Sequence, residues 1–275
     1  MHSINAKKKI ITIHDLASCS DQSFMSDKFK KLTKKKVIKA VKLADTIITV
    51  SNTIKNQLEE EFPISKGRII TVYHGVDKNI KYVSDESVRS LVKTKYNLPE
   101  SFLLFVGNLE IRKNLFTLLK AFKGLKDELK IKHKLVLVGR SGWGFESIKK
   151  FITESNLTDS IVIIGWVNDF DLYTIYSLAE LFVFPSFYEG FGLPIIEAMK
   201  CRLPVILSDI ATHREIAEDS ANYFKPTDSA ELADSIFSLL KDENQKNILV
   251  QRGIEHSKFF DWNKTAKEMI KIYEN

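Results

Sequence analysis

The sequence predicts a doubly wound α/β fold, in which parallel strands alternate with helices. Short apolar runs such as residues 102–106 and 181–184 are continuous rather than alternating, which is typical of strands buried on both faces. Helix-forming segments follow these runs, and glycines such as Gly139 and Gly190 lie where a strand gives way to a helix. Ligands of such folds bind at the carboxyl ends of the strands.

Taken in order, the amino-terminal part contains predicted strands at residues 9–13, 45–50 and 67–72 and helices at residues 28–43 and 52–61. Ser51 is placed to cap the second helix. A polar linker follows at residues 78–100, with a helix near residues 86–96. Further strands are predicted at residues 102–106, 134–138, 161–164, 181–184, 203–207 and 221–224, and helices begin near residues 115, 169, 193 and 228.

A final helix begins at Asp261, a residue type that favours the N-cap position. Its apolar stripe is predicted to form the face that packs on the rest of the protein. That stripe consists of Trp262, Ala266, Met269, Ile270 and Tyr273.

Length and composition exclude several classes of protein. The 275 residues are 44% hydrophobic, enough for one large core or two modest ones. The two cysteines, Cys19 and Cys201, form no C-x-x-C pattern, which argues against a disulfide framework or a zinc site. No apolar run approaches the roughly 20 residues that span a bilayer, and the short run near the amino terminus is a strand rather than a signal peptide. We therefore expect a cytoplasmic protein.

The formal net charge of +6 is compatible with nucleic acid, an anionic membrane or phosphorylated substrates. A nucleic-acid partner is the weakest of the three, because the sequence has no zinc-finger pattern and no basic stretch interleaved with aromatic residues. Eight lysines lie between Lys28 and Lys42. Such a helix is usually a solvated face, and the alternative is a basic patch for peripheral contact with an anionic membrane.

The most informative stretch is residues 184–199, FPSFYEGFGLPIIEAM. Pro185 ends the preceding strand, and Gly190 and Gly192 allow a tight turn and close approach to a ligand. Leu193 begins a helix whose N-terminus suits a phosphate, because unpaired N–H groups and the helix dipole point there. Glu189 and Glu197 frame this turn, with seven residues between them.

Two other strand ends carry candidate functional side chains. Arg112 and Lys113 precede a helix N-terminus, so fixed cations and free N–H groups would form a diphosphate site. His14 lies at the carboxyl end of the first strand, where ligand groups are expected.

Two further patterns invite other interpretations. The loop from Gly139 to Gly144 lacks the G-x-G-x-x-G spacing of a dinucleotide site, so we reject that assignment. Asp169 and Asp171 form a D-x-D pattern, which in some enzymes holds a divalent metal. These acids also fall at a predicted helix start, where the dipole favours them, and capping is the interpretation we prefer. We expect no essential metal.

These motifs together resemble a known enzyme family. Residues 185–199 match every fixed position of PS-x-x-EGFGLP-x-x-EAM, the E-x7-E segment of retaining glycosyltransferases of family 4 in the GT-B superfamily. Residues 106–115 match its VG-x-L-x-x-RKN-L segment, and the HGVD of residues 74–77 also recurs in the family. The resemblance implies two Rossmann-like parallel-sheet domains. The sequence departs from the family at Arg202 and Glu218, where glycine is common, and at Asn108, where some relatives have arginine.

The resemblance also implies a donor site. Glu197 would accept hydrogen bonds from the nucleotide ribose, because a carboxylate offers only acceptors to a vicinal diol. Arg112 and Lys113 would hold the donor diphosphate and stabilise it as it leaves. The other implied donor-binding positions act through the backbone near the base, the diphosphate or the sugar, and they are Gly139, Val167, Gly190, Phe191, Gly192 and Leu193.

Two residues are implied to act near the donor sugar. Glu189 would contact sugar hydroxyls as a positioning group, and His14 would face the sugar across the cleft of a family enzyme. The implied reaction is metal-independent transfer of a hexose with retention, with GDP-mannose or another GDP- or UDP-hexose as donor. The acceptor would be a glycan or a lipid-linked glycan in surface polysaccharide synthesis.

The implied domain organisation is incomplete. Residues 1–100 would form a partial acceptor-side domain with the linker, residues 101–250 a full donor domain, and residues 251–275 a helix that returns to the first domain. The first strands of the family's amino-terminal domain are absent, so either the gene is truncated, or a partner chain completes the sheet, or the chain is a shortened form. An incomplete parallel sheet exposes an edge and an apolar face, which predicts poor solubility of the chain alone, or association.

Two other functions remain open. The chain could be a nucleotide-sugar-binding module, or an inactive subunit, that keeps the donor pocket without transfer. It could also be a basic protein that binds a polyanion, and nucleotide sugar would then not compete with that binding.

Overall fold

The computed structural model describes residues 7–19 and 24–274, and it divides into two compact units. The first unit contains the described residues up to Gly75 together with Glu189–Phe191 and the described residues from Phe260 onward. The second unit contains Val76–Tyr188 and Gly192–Phe259. The α/β fold with two parallel sheets, which the family resemblance implies, is thus confirmed. The predicted domain boundaries remain predictions.

The first unit is built on a parallel sheet of three strands in the order β1-β2-β3. These strands are β1 (Ile10–Ile13), β2 (Thr46–Thr49) and β3 (Ile69–Thr71). Helices α1 (Asp27–Leu43) and α2 (Asn52–Glu61) connect them, as parallel pairing requires. The predicted cap of α2 is confirmed, because Ser51 Oγ accepts a hydrogen bond from the Ile54 N–H at 3.2 Å.

The last helix, α11 (Trp262–Glu274), packs against this sheet. Met269 and Ile272 lie against Ile48 and Val72 in the core of the first unit. The predicted start of the helix is confirmed, since Asp261 Oδ1 accepts a hydrogen bond from the Asn263 N–H at 2.9 Å.

The predicted packing face of α11 was wrong, although Met269 does reach the core. Trp262, Ile270 and Tyr273 are exposed large hydrophobic residues, and Ala266 is exposed as well. The buried positions are instead Thr265 and Ile272. Thr265 is buried because its hydroxyl donates to the Tyr73 carbonyl oxygen at 2.7 Å. A pattern of apolar residues does not include Thr265. The observed packing face is therefore rotated by about a quarter turn from the predicted one, at roughly 100° per residue.

The second unit contains a parallel sheet of six strands in the order β6-β5-β4-β7-β8-β9. Their bounds are β4 (Phe102–Val106), β5 (Lys134–Val138), β6 (Ile161–Gly165), β7 (Leu181–Phe184), β8 (Val205–Ser208) and β9 (Asn222–Phe224). Every residue of β4, β7 and β8 is buried, which explains why their sequences are continuous apolar runs. The order of the strands along the sheet reverses between β4 and β7, and open α/β sheets bind ligands at such a position.

The helices of the second unit surround this sheet. They are α3 (Glu86–Lys95), α4 (Leu115–Asp127), α5 (Phe145–Glu154), α6 (Asp169–Leu178), α7 (Leu193–Lys200), α8 (Ala211–Ala217), α9 (Ser229–Lys241) and α10 (Glu243–Ser257). The sequence did not predict α5, α8 or α10. No helix in the described part of the chain is long and apolar enough to cross a membrane.

Candidate functional site

The loop after β7 makes the predicted turn into α7. Gly192 occupies the N-cap position with a φ of 103°, a conformation that favours glycine. Pro194 lies in the first turn, where its missing N–H costs no intrahelical hydrogen bond. The strand, glycine turn and helix N-terminus expected from the sequence are therefore present.

Gly190 contacts the first strand of the first unit. A Cβ atom at this position would lie 2.0 Å from the carbonyl oxygen of His14. Only glycine allows the backbone of Glu189–Phe191 to approach the end of β1 so closely. The same segment is fastened by Ser51, whose hydroxyl donates to the Gly190 carbonyl oxygen at 2.8 Å.

His14 pairs with a second histidine, His74, which was not among the candidate residues. His14 Nδ1 and His74 Nε2 are 3.3 Å apart, and the two ring planes differ by 17°. The only sequence signal for His74 was its place in the HGVD motif. The structure thus brings His14, Gly190 and Phe191 together in the first unit and adds His74 to them.

Aromatic rings enclose His74. The Phe191 ring meets it edge to face with centroids 5.2 Å apart, and the Trp262 ring lies 5.6 Å away. Burial lowers the pKa of His74, and the charge of His14 lowers it further. Gly75 makes this packing possible, because a Cβ there would lie 2.1 Å from the backbone nitrogen of Trp262.

In the second unit, Arg112 and Lys113 form a 3₁₀ turn, Ile111–Lys113, directly before α4. The Arg112 guanidinium donates to Glu110 Oε1 at 2.8 Å and to the Tyr188 carbonyl oxygen at 2.8 Å. In return, the Arg112 carbonyl oxygen accepts a hydrogen bond from the Phe187 N–H at 3.0 Å. The cationic turn is therefore attached to the loop that leads to α7.

Asn114, which was not among the candidate residues, strengthens this attachment. Its backbone is left-handed with a φ of 55°, and its amide nitrogen donates to the Pro185 carbonyl oxygen at 2.9 Å. It also donates to the Pro226 carbonyl oxygen at 2.7 Å, and it accepts a hydrogen bond from the Thr117 hydroxyl. The buried asparagine thus ties the two loops that carry the candidate donor residues.

Lys113 is buried, and its ammonium group lies 4.8 Å from the centre of the Phe184 ring. An ammonium over an aromatic face is attracted by the negative face of the ring. Because Phe184 is the last residue of β7, this contact places the lysine charge at the carboxyl end of that strand.

Glu197 lies on α7, and a fully buried tyrosine of α6 orients its side chain. The Tyr176 hydroxyl donates to Glu197 Oε2 at 3.0 Å. Burial raises the pKa of the Glu197 carboxyl, and the hydrogen bond from Tyr176 offsets part of this rise. The hydroxyl of a buried tyrosine needs a hydrogen-bond partner. This requirement is the signal that could have identified Tyr176 as the partner of Glu197.

Glycines align at the ends of the neighbouring strands β4 and β5. A Cβ at Gly139 would lie 1.9 Å from the carbonyl oxygen of Gly107, so a larger residue at position 139 would keep the two loops apart. The Gly139 N–H in turn donates to the Gly165 carbonyl oxygen at 2.8 Å. Val167 follows as a buried residue of the next loop.

The D-x-D acids lie at the start of α6, as the capping interpretation predicts. The N-cap itself is Asn168, whose side chain accepts from the Asp171 N–H at 3.0 Å. Asp171 Oδ2 accepts hydrogen bonds from Lys95 at 2.6 Å and from the Tyr96 hydroxyl at 2.7 Å. Among the described residues, no group of three or more His, Cys, Asp or Glu side chains could hold a metal ion.

Comparison with known proteins places these features in a family. Residues 89–256 match the family model of glycosyl transferases group 1, and residues 4–79 match that of glycosyltransferase family 4. This chain belongs to the glycosyl transferases of group 1. The family that was inferred from the sequence motifs is thereby confirmed.

Two curated relatives of this glycosyl transferase chain come from Escherichia coli. O-antigen chain mannosyltransferase B is 29% identical over 270 residues, which is 98% of this chain and 70% of that protein. The serotype-specific mannosyltransferase WbdA is 31% identical over 81% of this chain and 28% of its own length.

Solved structures agree on the fold. Sucrose-phosphate synthase from Thermosynechococcus elongatus superposes with a TM-score of 0.78 and 26% identity, over 96% of this chain and 67% of that one. HepE from Anabaena, in complex with UDP and glucose, gives a TM-score of 0.81 at 20% identity over 98% of this chain and 72% of its own. These neighbours confirm the GT-B fold class predicted from the sequence.

Proposed function

We propose that this chain transfers a hexose from a nucleoside-diphosphate sugar to a glycan or lipid-linked acceptor, with retention of the anomeric configuration. The observation that carries the proposal is the attachment of the Arg112–Lys113 turn to the loop that leads into α7. Two cations and a helix N-terminus then lie at the carboxyl ends of β4 and β7, where the strand order reverses.

In this proposal, the second unit binds the nucleotide. Arg112 and Lys113 bind the diphosphate, together with backbone N–H groups of Gly192 and Leu193. Glu197, oriented by Tyr176, accepts hydrogen bonds from the ribose. The loops that begin at Gly139 and contain Val167 border the base, which is contacted by main chain.

Groups of the first unit act on the sugar. Glu189 positions sugar hydroxyls, and Gly190 and Phe191 continue the same segment. His14 contacts the donor sugar from the end of β1. The close approach of Gly190 to the His14 carbonyl oxygen supports a shared role for these residues.

The acceptor oxygen would bond to the sugar on the face that the leaving diphosphate occupies, as the bond between sugar and diphosphate breaks, and the hydroxyl proton would pass to the departing diphosphate. Attack on that face retains the configuration. Negative charge grows on the diphosphate as it departs, and fixed cations stabilise that charge more in the transition state than in the ground state. Such a reaction needs neither a protein nucleophile nor a metal ion, because Arg112 and Lys113 supply the positive charge.

The names of the relatives favour mannose as the sugar and a surface polysaccharide as the product. O-antigen chain mannosyltransferase B and WbdA are both named as mannosyltransferases. The HepE structure contains UDP and glucose, so UDP-hexoses also belong among the donors to be tested beside GDP-mannose.

Helix α1 is the proposed site of peripheral membrane contact. Phe29 and Leu32 are 57% and 52% exposed, and they lie among the lysines of this helix. Exposed apolar side chains beside cations suit the surface of an anionic bilayer. The expected result is that more protein sediments with phosphatidylglycerol vesicles than with phosphatidylcholine vesicles, and that Lys31→Glu with Lys35→Glu removes the difference. Equal sedimentation with both lipids would refute this contact.

The test of transfer uses GDP-mannose and UDP-glucose as donors and an α-mannoside with a hydrophobic aglycone as acceptor. We expect release of the nucleoside diphosphate and a new α-linkage in the NMR spectrum of the product, with Arg112→Ala as the inactive control. A β-linked product would contradict retention. Donor binding without any product from several acceptors would favour the alternative, a nucleotide-sugar-binding module.

A further inference from the structure

We propose that His74 is a positioning residue that fixes the tautomer of His14, so that His14 Nε2 presents its lone pair to a hydroxyl of the donor sugar. The role of His14 at the sugar rests on the proposed function. The pairing of the two histidines rests on their geometry, which can be tested without any activity.

The geometry of the two rings is that of a hydrogen bond. The facing nitrogens are 3.3 Å apart, whereas the ring centroids are 5.4 Å apart. Because the centroids lie so much farther apart than the nitrogens, the rings meet at their edges rather than face to face. Their planes are only 17° apart, so an N–H on one ring points at the lone pair of the other.

A contact of this kind holds one proton between the two nitrogens. Two protonated nitrogens would repel each other, and two bare nitrogens would leave both lone pairs facing. The proton therefore belongs either to His14 Nδ1 or to His74 Nε2, and the surroundings decide which.

Those surroundings favour His74 as the acceptor. His74 packs against the rings of Phe191 and Trp262, whereas His14 is exposed. A positive charge is more costly on the imidazole that is less hydrated, so His14 carries it when the pair is protonated. His14 then donates through Nδ1, which leaves its Nε2 as the nitrogen that can accept a hydrogen bond from another partner.

Neighbouring ionisable groups do not reverse this assignment. Asp15 Oδ1 accepts the Ala17 N–H at 3.0 Å, and Asp261 Oδ1 accepts the Asn263 N–H at 2.9 Å. The Tyr73 hydroxyl accepts from the Asn52 amide at 2.7 Å, and Glu189 lies on the same segment as Phe191. After burial, the charge of His14 is the influence that acts on His74.

Two contacts, made by the residues before and after His74 in the sequence, hold it in place. On one side, the Tyr73 carbonyl oxygen accepts a hydrogen bond from the Thr265 hydroxyl at 2.7 Å. On the other, Gly75 contacts the backbone of Trp262 so closely that no side chain fits. The imidazole of His74 is thus fixed by α11, and it can in turn fix His14.

The direct test is ¹⁵N NMR of histidine-labelled protein, which reports which ring nitrogen carries a proton. In the wild type, His14 should carry its proton on Nδ1 at neutral pH. In His74→Phe, which keeps a ring but offers no lone pair, His14 should change to the Nε2–H tautomer that free imidazole side chains prefer. His74→Gln should keep the Nδ1–H tautomer, because its carbonyl oxygen can accept.

Kinetics give a second readout. In His74→Phe, kcat should fall about tenfold, as when an orienting partner of a functional imidazole is lost, while KM changes less than twofold and nucleotide affinity does not change. His74→Gln should recover most of kcat, and the acid limb of the pH profile should move only in the phenylalanine variant. If His74→Phe does not fold, the comparison of His74→Met with His74→Gln replaces it.

The outcomes separate the two proposals. An unchanged His14 tautomer in His74→Phe, with the wild-type pH profile, overturns the positioning role. A wild type that transfers no sugar but shows the tautomer change refutes the proposed function and supports the histidine pair. His133→Phe is the matched control, since His133 lies in the second unit and pairs with Glu180, and it should leave the His14 signals unchanged.

Discussion

The two units hold their candidate functional groups in different ways. In the second unit, the partners are core residues: Tyr176 and Phe184 are fully buried, and they orient Glu197 and Lys113. In the first unit, two histidines orient each other beside aromatic rings. The second unit therefore fixes its candidate donor residues through its own core, whereas the first unit depends on a segment, Glu189–Phe191, from the middle of the chain.

The strands show the same contrast. All residues of β4, β7 and β8 are buried, whereas β1 and β3 each contain exposed positions. A sheet whose strands are covered on both faces tolerates little change in volume, and a partly exposed sheet tolerates more. We therefore expect the same substitution to have unequal costs in the two units.

The largest expected difference comes from two isoleucines in parallel strands. Ile206 in β8 is fully buried and Ile70 in β3 is 43% exposed. Ile206→Ala should lower the free energy of unfolding by about 2–5 kcal/mol, and Ile70→Ala by less than about 1 kcal/mol. Urea titration with amide hydrogen exchange measures both and assigns each change to a unit. Equal costs would show that the first sheet is as tightly packed as the second.

Arg112 tests whether the cationic turn binds the diphosphate. Arg112→Ala should weaken binding of the nucleoside diphosphate by about 1.5–3 kcal/mol, the usual worth of a hydrogen bond to a charged group. The matched control is Arg252→Ala, an exposed arginine of α10, which should bind normally. Calorimetry with the corresponding nucleoside should show little effect of Arg112→Ala. A similar loss with the nucleoside would mean that the substitution disturbs the fold.

Glu197 tests whether the carboxylate on α7 contributes to nucleotide binding. Glu197→Ala should weaken nucleotide binding about tenfold, or about 1.4 kcal/mol, because one charge-assisted hydrogen-bond acceptor is lost. Glu146→Ala, on the surface of α5, serves as the control. Unchanged nucleotide affinity in Glu197→Ala would remove Glu197 from the site.

Glu197 should also make the stability of the folded chain depend on pH. The pKa of Glu197 is raised in the folded chain, so as pH rises above about 4.3 the unfolded chain loses its proton first and stability falls until the folded pKa is passed. Glu197→Gln cannot ionise and keeps a partner for Tyr176. Its stability relative to wild type should therefore increase from acid to neutral pH. Parallel stability curves for the two proteins would contradict the raised pKa.

The smallest expected effects concern two positions where family members commonly have glycine. Glu218 has a φ of 46° and a ψ of −121°, and Arg202 has a φ of 61°. Glu218→Gly should stabilise by about 1 kcal/mol, because such backbone angles are strained for any residue with a side chain. Arg202→Gly should gain less, since it removes the contact of the guanidinium with the Tyr82 ring. Asn97→Gly is the control, because asparagine tolerates its φ of 48°. A melting temperature lowered by Glu218→Gly would refute the strain.

Sequence alone predicted most of the second unit. The strands Phe102–Val106, Lys134–Val138 and Leu181–Phe184 have the predicted bounds, because their buried positions form uninterrupted apolar runs. Helix α10 was not predicted, since its apolar residues are few and irregularly spaced. The packing face of α11 was wrong because a hydrogen bond, rather than hydrophobicity, buries Thr265.

The candidate site was predictable where motifs are local and not where contacts span the chain. Arg112, Lys113, Glu189 and Glu197 lie in continuous motifs. The pairing of His14 with His74 joins positions 60 residues apart, and the approach of Gly190 to His14 joins positions still more distant. Such contacts depend on the tertiary fold, so composition, spacing and periodicity do not reveal them.

The central claim is that the second unit holds a site for a nucleoside-diphosphate sugar. Calorimetry of the wild-type chain with GDP, UDP, ADP and their common sugars tests it directly. We expect one base to bind, to raise the melting temperature of the protein by mass action, and to bind more weakly as the nucleoside monophosphate. A chain that unfolds cooperatively and yet binds none of these nucleotides would contradict the claim.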